Sequence, residues 1–354
     1  MIPTFDKIHN KFKLNGLYFD RDALKEVAYS FIKEGQLFEK EMGDFLLEWT
    51  NDRPVVEVRT SGSTGAPKIV IIKKDAMVAS AISTGNFFSL EPGDTCLHCL
   101  PTHFIAGKMM LVRAMILGLE VTTVEPLSRP IFDIDKTFDF CAMVPLQLEN
   151  TINATKNIKK LIVGGAAVPK SLVTAVQKLK TEVYETYGMT ETITHIAAKR
   201  LNGKTKSKYF TTLPGVLVTQ DERNCLVIKA PYLSSEPVIT NDIVELISEY
   251  EFRWLGRADY VINVGGVKVQ PEVVEAKLQD KFQHRILITS EHDSKLGEHV
   301  VMIVESEPFE ISKTVFEDLE KFEAPKSIYF ISRFVEKTPG KIQILETLNK
   351  AKLS

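Results

Sequence analysis

The sequence contains few cysteines and no run of apolar residues long enough to cross a membrane. Its 354 residues include 4 cysteines, too few for the disulfide framework of a small secreted domain. The most apolar helical stretch, residues 109–119, is interrupted by Arg113, whereas a membrane-spanning helix needs about 20 apolar residues. The first residues also lack the basic-then-apolar order of a secretory signal. We therefore expect a soluble, cytoplasmic protein with no membrane span.

A strong excess of charge of either sign is also missing. The 44 basic and 46 acidic residues give a formal net charge of −2, which provides no reason to expect binding to nucleic acid or to a membrane surface. Internal repeats and low-complexity tracts are absent from the sequence. The expected partners are therefore small molecules, and a homo-oligomer is compatible with the sequence.

Two of the cysteines, Cys96 and Cys99, stand at a separation that is also found in metal sites. They fall in residues 95–100, which we interpret as a strand, and an odd separation in a strand places two side chains on opposite faces. A second pair of cysteine or histidine residues is not nearby in the sequence. A metal site and two buried strand cysteines are both compatible with this pattern, and the second interpretation is favoured.

Apolar runs alternate with helical patterns along most of the chain, which favours a mainly parallel sheet covered by helices. Helices are predicted at residues 20–34, 36–49, 106–117, 146–153 and 169–179, and strands at 95–100, 120–125, 138–144, 160–164 and 182–187. Residues 216–255 contain shorter β-type runs. The prediction is an α/β protein with a large N-terminal domain, residues 1–256, that includes a small β subdomain.

The order of predicted strands and helices changes after a domain boundary that we place at residues 256–259. Strands are predicted at 260–264, 285–289, 299–305 and 327–331, and helices at 271–282 and 312–321. About one hundred residues in this mixed order suffice for a small domain. Residues 257–354 are therefore predicted to form a small α+β C-terminal domain.

The clearest local signal is a segment rich in glycine and hydroxyl residues at positions 60–68. Its glycines let the backbone bring N–H groups close to a ligand, its hydroxyls can donate to phosphate oxygens, and its lysine adds a positive charge. The residues concerned are Thr60, Ser61, Gly62, Ser63, Thr64, Gly65 and Lys68. A flexible surface turn has a similar composition. The segment is not the Walker pattern, because Gly-Lys-Ser/Thr is absent from it.

A second segment, YETYGMTET at residues 184–192, stands at the end of a predicted strand. Ligands of an open parallel sheet bind beyond the carboxyl ends of its strands, where this segment should emerge. The carboxylate of Glu191 suits Mg²⁺, and the hydroxyl of Thr190 suits a phosphate. Upstream, the small residues Gly165 and Ala166 end another predicted strand and permit flat contact with a ring. Ordinary turns at strand ends would explain either segment taken alone.

Three charged positions further along the chain complete the pattern. Asp242 can accept hydrogen bonds from a ribose diol, and Arg257 can donate to the same sugar or to a phosphate. Either residue alone is more often part of a surface ion pair. Lys341 ends the basic turn KTPGK at residues 337–341.

In their order and spacing, these segments resemble the motifs of the adenylate-forming superfamily, which includes acyl-CoA synthetases, luciferases and the adenylation domains of peptide synthetases. The resemblance extends from about residue 55 to the C-terminus, and residues 60–68 and 187–191 match nearly completely. It implies a ligase that uses ATP and Mg²⁺ to convert a small carboxylic acid into an acyl-adenylate. Coenzyme A is then the implied acceptor, and the product is a thioester.

The resemblance also implies how ATP is bound. Residues 60–68 would embrace the β- and γ-phosphates, Thr190 would contact the α-phosphate, and Glu191 would hold Mg²⁺. The adenine and ribose contacts would come from Gly165, Ala166, Glu185, Thr186, Tyr187, Asp242 and Arg257.

Catalysis would depend on Lys341, which by the same resemblance reaches from a mobile C-terminal domain to the reacting carboxylate and the α-phosphate. Bringing two anions together requires charge neutralisation and in-line positioning, which a lysine and Mg²⁺ supply. Asp259 would be the hinge about which the small domain rotates between adenylation and thioester formation.

The resemblance also reaches a subgroup of this superfamily. The runs AGKMMLVRA at residues 106–114 and GGAAVP at residues 164–169, together with the short N-terminal region, are similar to the short bacterial o-succinylbenzoate–CoA ligases of menaquinone biosynthesis. The implied substrate is an aromatic dicarboxylic acid, whose second carboxylate needs cationic or polar partners. The candidates are His103, Lys108, Arg113, Thr194 and His195.

Several alternatives stay open from the sequence. His103 precedes Phe104, the reverse of the order in the superfamily, so a gating role and a packing role are both compatible with it. Arg113 is equally compatible with a helix residue whose head reaches solvent. Another small aryl or acyl acid, with CoA or a carrier-protein thiol as acceptor, fits the same motifs. A catalytically silent nucleotide-binding regulator is less favoured, because it has no need of both Glu191 and Lys341.

Overall fold

The computed structural model describes residues 3–59, 69–338 and 341–353, and its contacts divide the chain into two units. The first unit comprises Met1–Val218, Ile228–Val238 and Glu249–Glu251, and the second comprises Thr219–Val227, Ile239–Ser248 and Phe252–Ser354. This grouping assigns residues on both sides of position 256 to the second unit. The domain ranges 1–256 and 257–354 stay predictions.

The first unit contains six α-helices among the described residues. They are α1 (Arg21–Glu34), α2 (Leu37–Thr50), α3 (Lys74–Phe88), α4 (Ile105–Leu117), α5 (Pro145–Thr151) and α6 (Lys170–Val176). The longest has 15 residues, fewer than the approximately 20 that a membrane span requires. Across the described part of the chain, we find no helix with the length and apolar character of a membrane span.

Eleven strands precede β12 in the described residues. They are β1 (Lys13–Leu14), β2 (Leu17–Tyr18), β3 (Val55–Arg59), β4 (Ile69–Lys73), β5 (Thr95–His98), β6 (Glu120–Thr123), β7 (Phe138–Met143), β8 (Ile158–Val163), β9 (Glu182–Gly188), β10 (His195–Arg200) and β11 (Phe210–Thr212). Nine of them form one sheet in the order β11-β10-β9-β8-β7-β5-β6-β1-β2. The central pairs from β9 to β1 are parallel. Parallel strands need crossover connections, which the helices provide, and the prediction of a mainly parallel sheet covered by helices is confirmed.

The core of the first unit consists of apolar clusters on both faces of this sheet, and β5 contributes to each. Cys96 belongs to the cluster that contains Met109 and Phe140, whereas Leu97 and Cys99 belong to the other. The two thiols therefore lie on opposite faces, as predicted, and both are free and buried. Within the described ranges, no group of three or more potential metal-ligating side chains is present.

Four strands connect the two units along the chain: β12 (Leu217–Gln220), β13 (Cys225–Lys229), β14 (Val238–Ser248) and β15 (Glu251–Arg257). They are hydrogen-bonded in that order. Each of them contributes residues to both units. These strands correspond to the predicted small β subdomain.

The rest of the second unit is a small α+β structure, as predicted. Its elements are β16 (Ile262–Val264), β17 (Val267–Val269), α7 (Pro271–Leu278), β18 (Ile286–Asp293), β19 (Gly297–Glu305), β20 (Ser327–Ile331), β21 (Glu336–Thr338), β22 (Lys341–Ile342) and α8 (Ile344–Ala351). Strands β17, β16, β19 and β18 form a sheet in that order, and β20 pairs in parallel with β19. Residues Val274 and Leu278 of α7 pack into the apolar cluster of this sheet.

The predicted helix at residues 312–321 is wrong. The structure has a single 3₁₀ turn at Lys313–Phe316. The apolar side chains that suggested a helix, among them Val315, Phe316 and Leu319, pack against the sheet from an irregular segment. Tertiary packing overrides the local helical pattern there.

Candidate active site

A tight turn follows β9 and carries the predicted phosphate and metal contacts. The buried Thr192 fixes this turn, because its hydroxyl accepts from the N–H of Met189 at 3.0 Å and lies 2.9 Å from the carbonyl of Thr194. Thr190 and Glu191 precede it in a 3₁₀ turn. As a result, Thr190 is half-buried and Glu191 is exposed.

One residue of this turn has a strained backbone. Ile193 has φ of +67° and is 4% exposed, although β-branched residues strongly disfavour positive φ. At Gly188, an added Cβ would lie 2.4 Å from the carbonyl oxygen of Thr194, so that position requires glycine. Strain of this kind persists where the surrounding structure holds it, and it is frequent at functional sites.

The predicted adenine contacts occupy the adjacent ends of β8 and β9. Thr186 donates from its hydroxyl to the carbonyl of Val163 at 3.2 Å, and a Cβ at Gly164 would lie 2.2 Å from that hydroxyl oxygen. Gly165 follows with φ of +85°, and Ala166 is the next residue in this turn. The strand ends therefore present small residues and exposed backbone.

The other two adenine candidates are held by neighbouring strands. Glu185 forms an ion pair with Lys199 at 2.7 Å and accepts from the N–H of Val168 at 3.3 Å. The ring of Tyr187 lies 5.9 Å from that of Phe210, centroid to centroid. Both side chains thus have partners within the protein.

Glu191 has the properties of an available metal ligand. Within the described residues its carboxylate makes no hydrogen bond and no ion pair. Mg²⁺ is usually bound by one or two carboxylates together with substrate phosphates and water. One exposed carboxylate beside a turn that carries Thr190 fits that mode of binding.

Arg113, in α4, is a buried cation near the same turn. Its side chain is 1% exposed, and its Nη2 donates to the hydroxyl of Thr194 at 3.2 Å and lies 3.4 Å from Nδ1 of His195. Burial lowers the pKa of the Arg113 guanidinium to about 10, so the group is charged at neutral pH. Across the described residues it has no ion-pair partner, and its buried Nε has no hydrogen-bond partner. The interpretation with the head in solvent is therefore wrong.

His195 connects Arg113 to helix α3. Because Arg113 can only donate, Nδ1 of His195 accepts and the proton resides on Nε2, which lies 3.4 Å from the hydroxyl of Thr84. Thr84 in turn donates to the carbonyl of Ser80 at 3.0 Å. Burial and the charge of Arg113 lower the pKa of His195 well below its usual value, so His195 is neutral. Sequence reasoning missed Thr84, because α3 was not predicted.

His103 and Lys108 lie elsewhere, against helix α2. Nδ1 of His103 is 2.8 Å from a carboxylate oxygen of Glu41. Lys108 lies 3.7 Å from Glu48 and 4.6 Å from the ring centre of Phe45. Both residues thus have local partners, whereas Arg113, Thr194 and His195 are brought together.

The predicted ribose contacts and hinge cluster in the second unit. Arg257 pairs with Asp259 at 2.6 Å and lies 3.8 Å from Asp242. The indole N–H of Trp254 donates to Asp242 at 3.3 Å, and the amide of Asn241 donates to Asp259 at 3.2 Å. These contacts fix the Arg257 guanidinium between two carboxylates.

Two predicted parts of the site fall outside the described residues. They are the segment with Thr60, Ser61, Gly62, Ser63, Thr64, Gly65 and Lys68, and the side chain of Lys341. The backbone of Lys341 begins β22, where it pairs with Thr338. The roles of all these residues stay predictions.

Comparison with known proteins defines the class of this fold. The model of the AMP-binding enzyme family matches residues 20–222. A solved structure from Dyadobacter fermentans, described as an acyl-CoA synthetase (AMP-forming)/AMP-acid ligase II-like protein, is 34% identical, with 92% of this chain and 98% of that chain covered and a TM-score of 0.62. The chain therefore belongs to the AMP-binding enzyme family.

Relatives with a named reaction are more distant. The 2-succinylbenzoate–CoA ligase of Haemophilus influenzae is 23% identical, with 94% of this chain and 75% of the relative covered. A solved o-succinylbenzoate coenzyme A synthetase from Bacillus subtilis, in complex with ATP and magnesium, is 18% identical over 86% of this chain and 74% of that chain, with a TM-score of 0.68, and shows the fold alone. The resemblance to the adenylate-forming superfamily is confirmed, and the class is that of ATP-dependent acid–CoA ligases.

Proposed function

We propose that this ligase converts o-succinylbenzoate into its CoA thioester through an acyl-adenylate. The observation that carries the proposal is Arg113, a buried and charged guanidinium without a carboxylate partner in the described residues. A dicarboxylic substrate has one carboxylate to activate and a second that would pair with this cation. A monocarboxylic acid would leave the cation without a counterion.

The energetics of burial support this assignment. An isolated charge is costly to bury, and the cost is offset when a partner and further hydrogen bonds are supplied. Around Arg113, the hydroxyl of Thr194 and the neutral ring of His195 provide polar contacts but no negative charge. A substrate carboxylate would complete the set. The names of the relatives, which are 2-succinylbenzoate–CoA ligases, agree with this substrate.

The nucleotide contacts are those that the resemblance implies. Thr190 would donate to the α-phosphate, Glu191 would hold Mg²⁺, and Asp242 with Arg257 would hold the ribose. Mg²⁺ supplies charge neutralisation on the phosphates when it is bound. Residues 60–68 would cradle the β- and γ-phosphates, and Lys341 would stabilise the charge that develops when the acid attacks.

The test is ATP–pyrophosphate exchange over a panel of acids, with CoA-thioester formation followed on the best acid. The panel contains o-succinylbenzoate, benzoate, and two analogues that each lack one of its carboxylates, 4-oxo-4-phenylbutanoate and 2-butyrylbenzoate. We expect o-succinylbenzoate to be preferred. Exchange with benzoate and none with o-succinylbenzoate would contradict the proposal.

The same assay tests the role of Arg113 through Arg113→Met. A hydrogen bond to a charged group contributes about 1.5–3 kcal/mol, so the preference for o-succinylbenzoate over the analogue that keeps the activated carboxylate should fall by at least about tenfold. Arg253→Met is the matched control, because Arg253 is exposed and pairs with Glu245. Lys108→Met, measured in parallel, separates the two cation candidates. An unchanged preference in Arg113→Met would remove this residue from the acid site.

A further inference from the structure

The carboxylate of Glu272 lies against the backbone of Gly256 and Arg257. Glu272 stands in the first turn of α7. Its Oε1 accepts from the backbone N–H of Arg257 at 3.2 Å. A Cβ built on Gly256 would lie 2.3 Å from Oε2 of Glu272, and Gly256 has φ of +145°. Glycine is therefore what permits the carboxylate to approach the chain this closely.

Backbone N–H groups, and not an ion pair within the described residues, contact the carboxylate of Glu272. Its Oε2 is buried and, among the described residues, has no hydrogen-bond partner. No lysine, arginine or histidine side chain of the described ranges forms an ion pair with it. Burial raises the pKa of the Glu272 carboxyl, whereas the backbone N–H groups of Glu272 and Arg257 and the charge of Arg257 act in the opposite direction. Such a group is costly to bury, and the hydrogen bond from the N–H of Arg257 is one of the interactions that offset this cost.

Arg257 therefore has contacts at both its side chain and its backbone. Its guanidinium contacts Asp259 and Asp242, and its backbone N–H is fixed by Glu272. The second contact joins residues on the two sides of the predicted hinge, because Arg257 precedes Asp259 and Glu272 follows it. The hydrogen bond between Arg257 and Glu272 therefore requires that the segments before and after Asp259 stay in the relative position seen in the second unit.

We propose that Glu272 is a positioning residue for the nucleotide: by fixing the backbone of Arg257, it holds the guanidinium where the ribose of ATP is bound. The inference rests on the proposed function, which assigns Arg257 to the ribose. Glu272 does not contact the nucleotide in this scheme. It acts through Arg257, and its effect is on ATP rather than on the acid.

The experiment measures ATP binding to the full-length protein by calorimetry, in the presence of Mg²⁺ and without an acid. Glu272→Ala is expected to weaken ATP binding by about threefold to tenfold, in line with the loss of the one hydrogen bond that fixes the backbone of Arg257. Glu272→Gln keeps an acceptor for the N–H of Arg257 and is expected to restore most of the affinity. Glu317→Ala is the control, since Glu317 is an exposed glutamate of the same unit.

The steric contact with Gly256 gives a second, independent measurement. Gly256→Ala alone is expected to weaken ATP binding, whereas the same change in the Glu272→Ala background should cost much less, because the clash is then absent. A double-mutant cycle isolates this coupling from the strain of the positive φ. Urea unfolding of each variant confirms that it is folded before affinities are compared.

The outcomes separate this inference from the proposed function. Wild-type affinity for ATP in Glu272→Ala, or equal losses in the Ala and Gln variants, would overturn the role of Glu272 and leave the proposed reaction intact. In exchange assays, a rise in the KM for the acid with an unchanged KM for ATP would overturn it as well. Absence of ATP binding in the wild-type protein would overturn both.

Discussion

Buried ionisable side chains without charged partners occur in both units. Burial lowers the pKa of Arg113 to about 10 and raises the pKa of Glu275 to about 8. At neutral pH the first is therefore charged and the second is mostly protonated. The carboxyl of Glu275 accepts from the N–H of Ile288 at 2.7 Å, which a protonated carboxyl also does. Burial thus leaves a charged guanidinium in one unit and a neutral carboxyl in the other.

The neutral state of Glu275 makes stability dependent on pH. The folded pKa of about 8 exceeds the ordinary value of 4.5, so between these values the folded protein binds a proton that the unfolded chain does not. The free energy of unfolding should therefore fall as the pH rises through this window, by about 2 kcal/mol from pH 6 to pH 8. Glu275→Gln, which cannot ionise, should remove this part of the fall.

Urea unfolding followed by circular dichroism at pH 6 and pH 8 measures the effect. Glu317→Gln serves as the control, because it replaces an exposed glutamate. Identical pH dependence in wild-type and Glu275→Gln proteins would show that Glu275 is ionised in the folded state at both pH values.

The candidates for binding the acid show how far individual contacts can be predicted from the sequence. Arg113, Thr194 and His195 converge, and all three were chosen from the sequence. Lys108 lies five positions before Arg113 on α4, about 140° around the helix, so helical geometry alone separates their directions. The contribution of Thr84 could not be predicted, because nothing in the sequence indicated which helix packs behind His195.

At the scale of elements, helices were predicted where apolar residues recur at helical spacing. The bounds of α1 and α2 agree with their predictions within a residue or two. Helix α3 was missed although the equally buried α4 was predicted; residues 83–86 of α3 are serine, threonine, glycine and asparagine, which are weaker helix formers. The opposite error occurred at residues 312–321, where apolar residues three and four apart pack against a sheet without forming a helix.

The α1–α2 hairpin depends on a close approach at Gly43. A Cβ there would lie 2.6 Å from the carbonyl oxygen of Ala28 and 2.9 Å from Cγ1 of Ile32. Alanine has the higher helix propensity, by about 1 kcal/mol, yet we expect Gly43→Ala to lower the free energy of unfolding by about 1–3 kcal/mol, because overpacking forces the helices apart.

Thermal and urea unfolding of Gly43→Ala check this expectation. Lys40→Ala, at an exposed position of the same helix, is the matched control and should be neutral or slightly stabilising. A more stable Gly43→Ala protein would mean that the two helices separate without cost.

At the scale of the whole molecule, each unit carries its own group of predicted nucleotide contacts. Thr190 and Glu191 belong to the first, and Asp242, Arg257 and Lys341 belong to the second. The sequence predicted this distribution through the order of its motifs and the resemblance that they carry. It could not predict how β12 to β15 divide between the units, because that depends on contacts between strands and not on composition.

The proposed role of Lys341 is tested by separating the two half-reactions. Lys341→Ala should reduce adenylation by on the order of 100-fold or more, because a cation that stabilises the developing charge is removed. Thioester formation from supplied acyl-adenylate and CoA should be nearly unchanged. Lys313→Ala, which removes an exposed lysine of the same unit, is the control. Equal losses in both half-reactions would contradict the assigned role.

The passage of the chain through β12 to β15 limits how this protein can be divided. Along these strands the polypeptide changes unit five times, at positions 218/219, 227/228, 238/239, 248/249 and 251/252. A fragment that starts at residue 252 would leave two stretches of its own unit behind. A fragment that ends there would carry those stretches without the partners they pack with. A chimera made with a relative by a single crossover between residues 218 and 252 would therefore combine parts of one unit from two parents. Each unit keeps the residues of one parent only when that parent supplies all four strands.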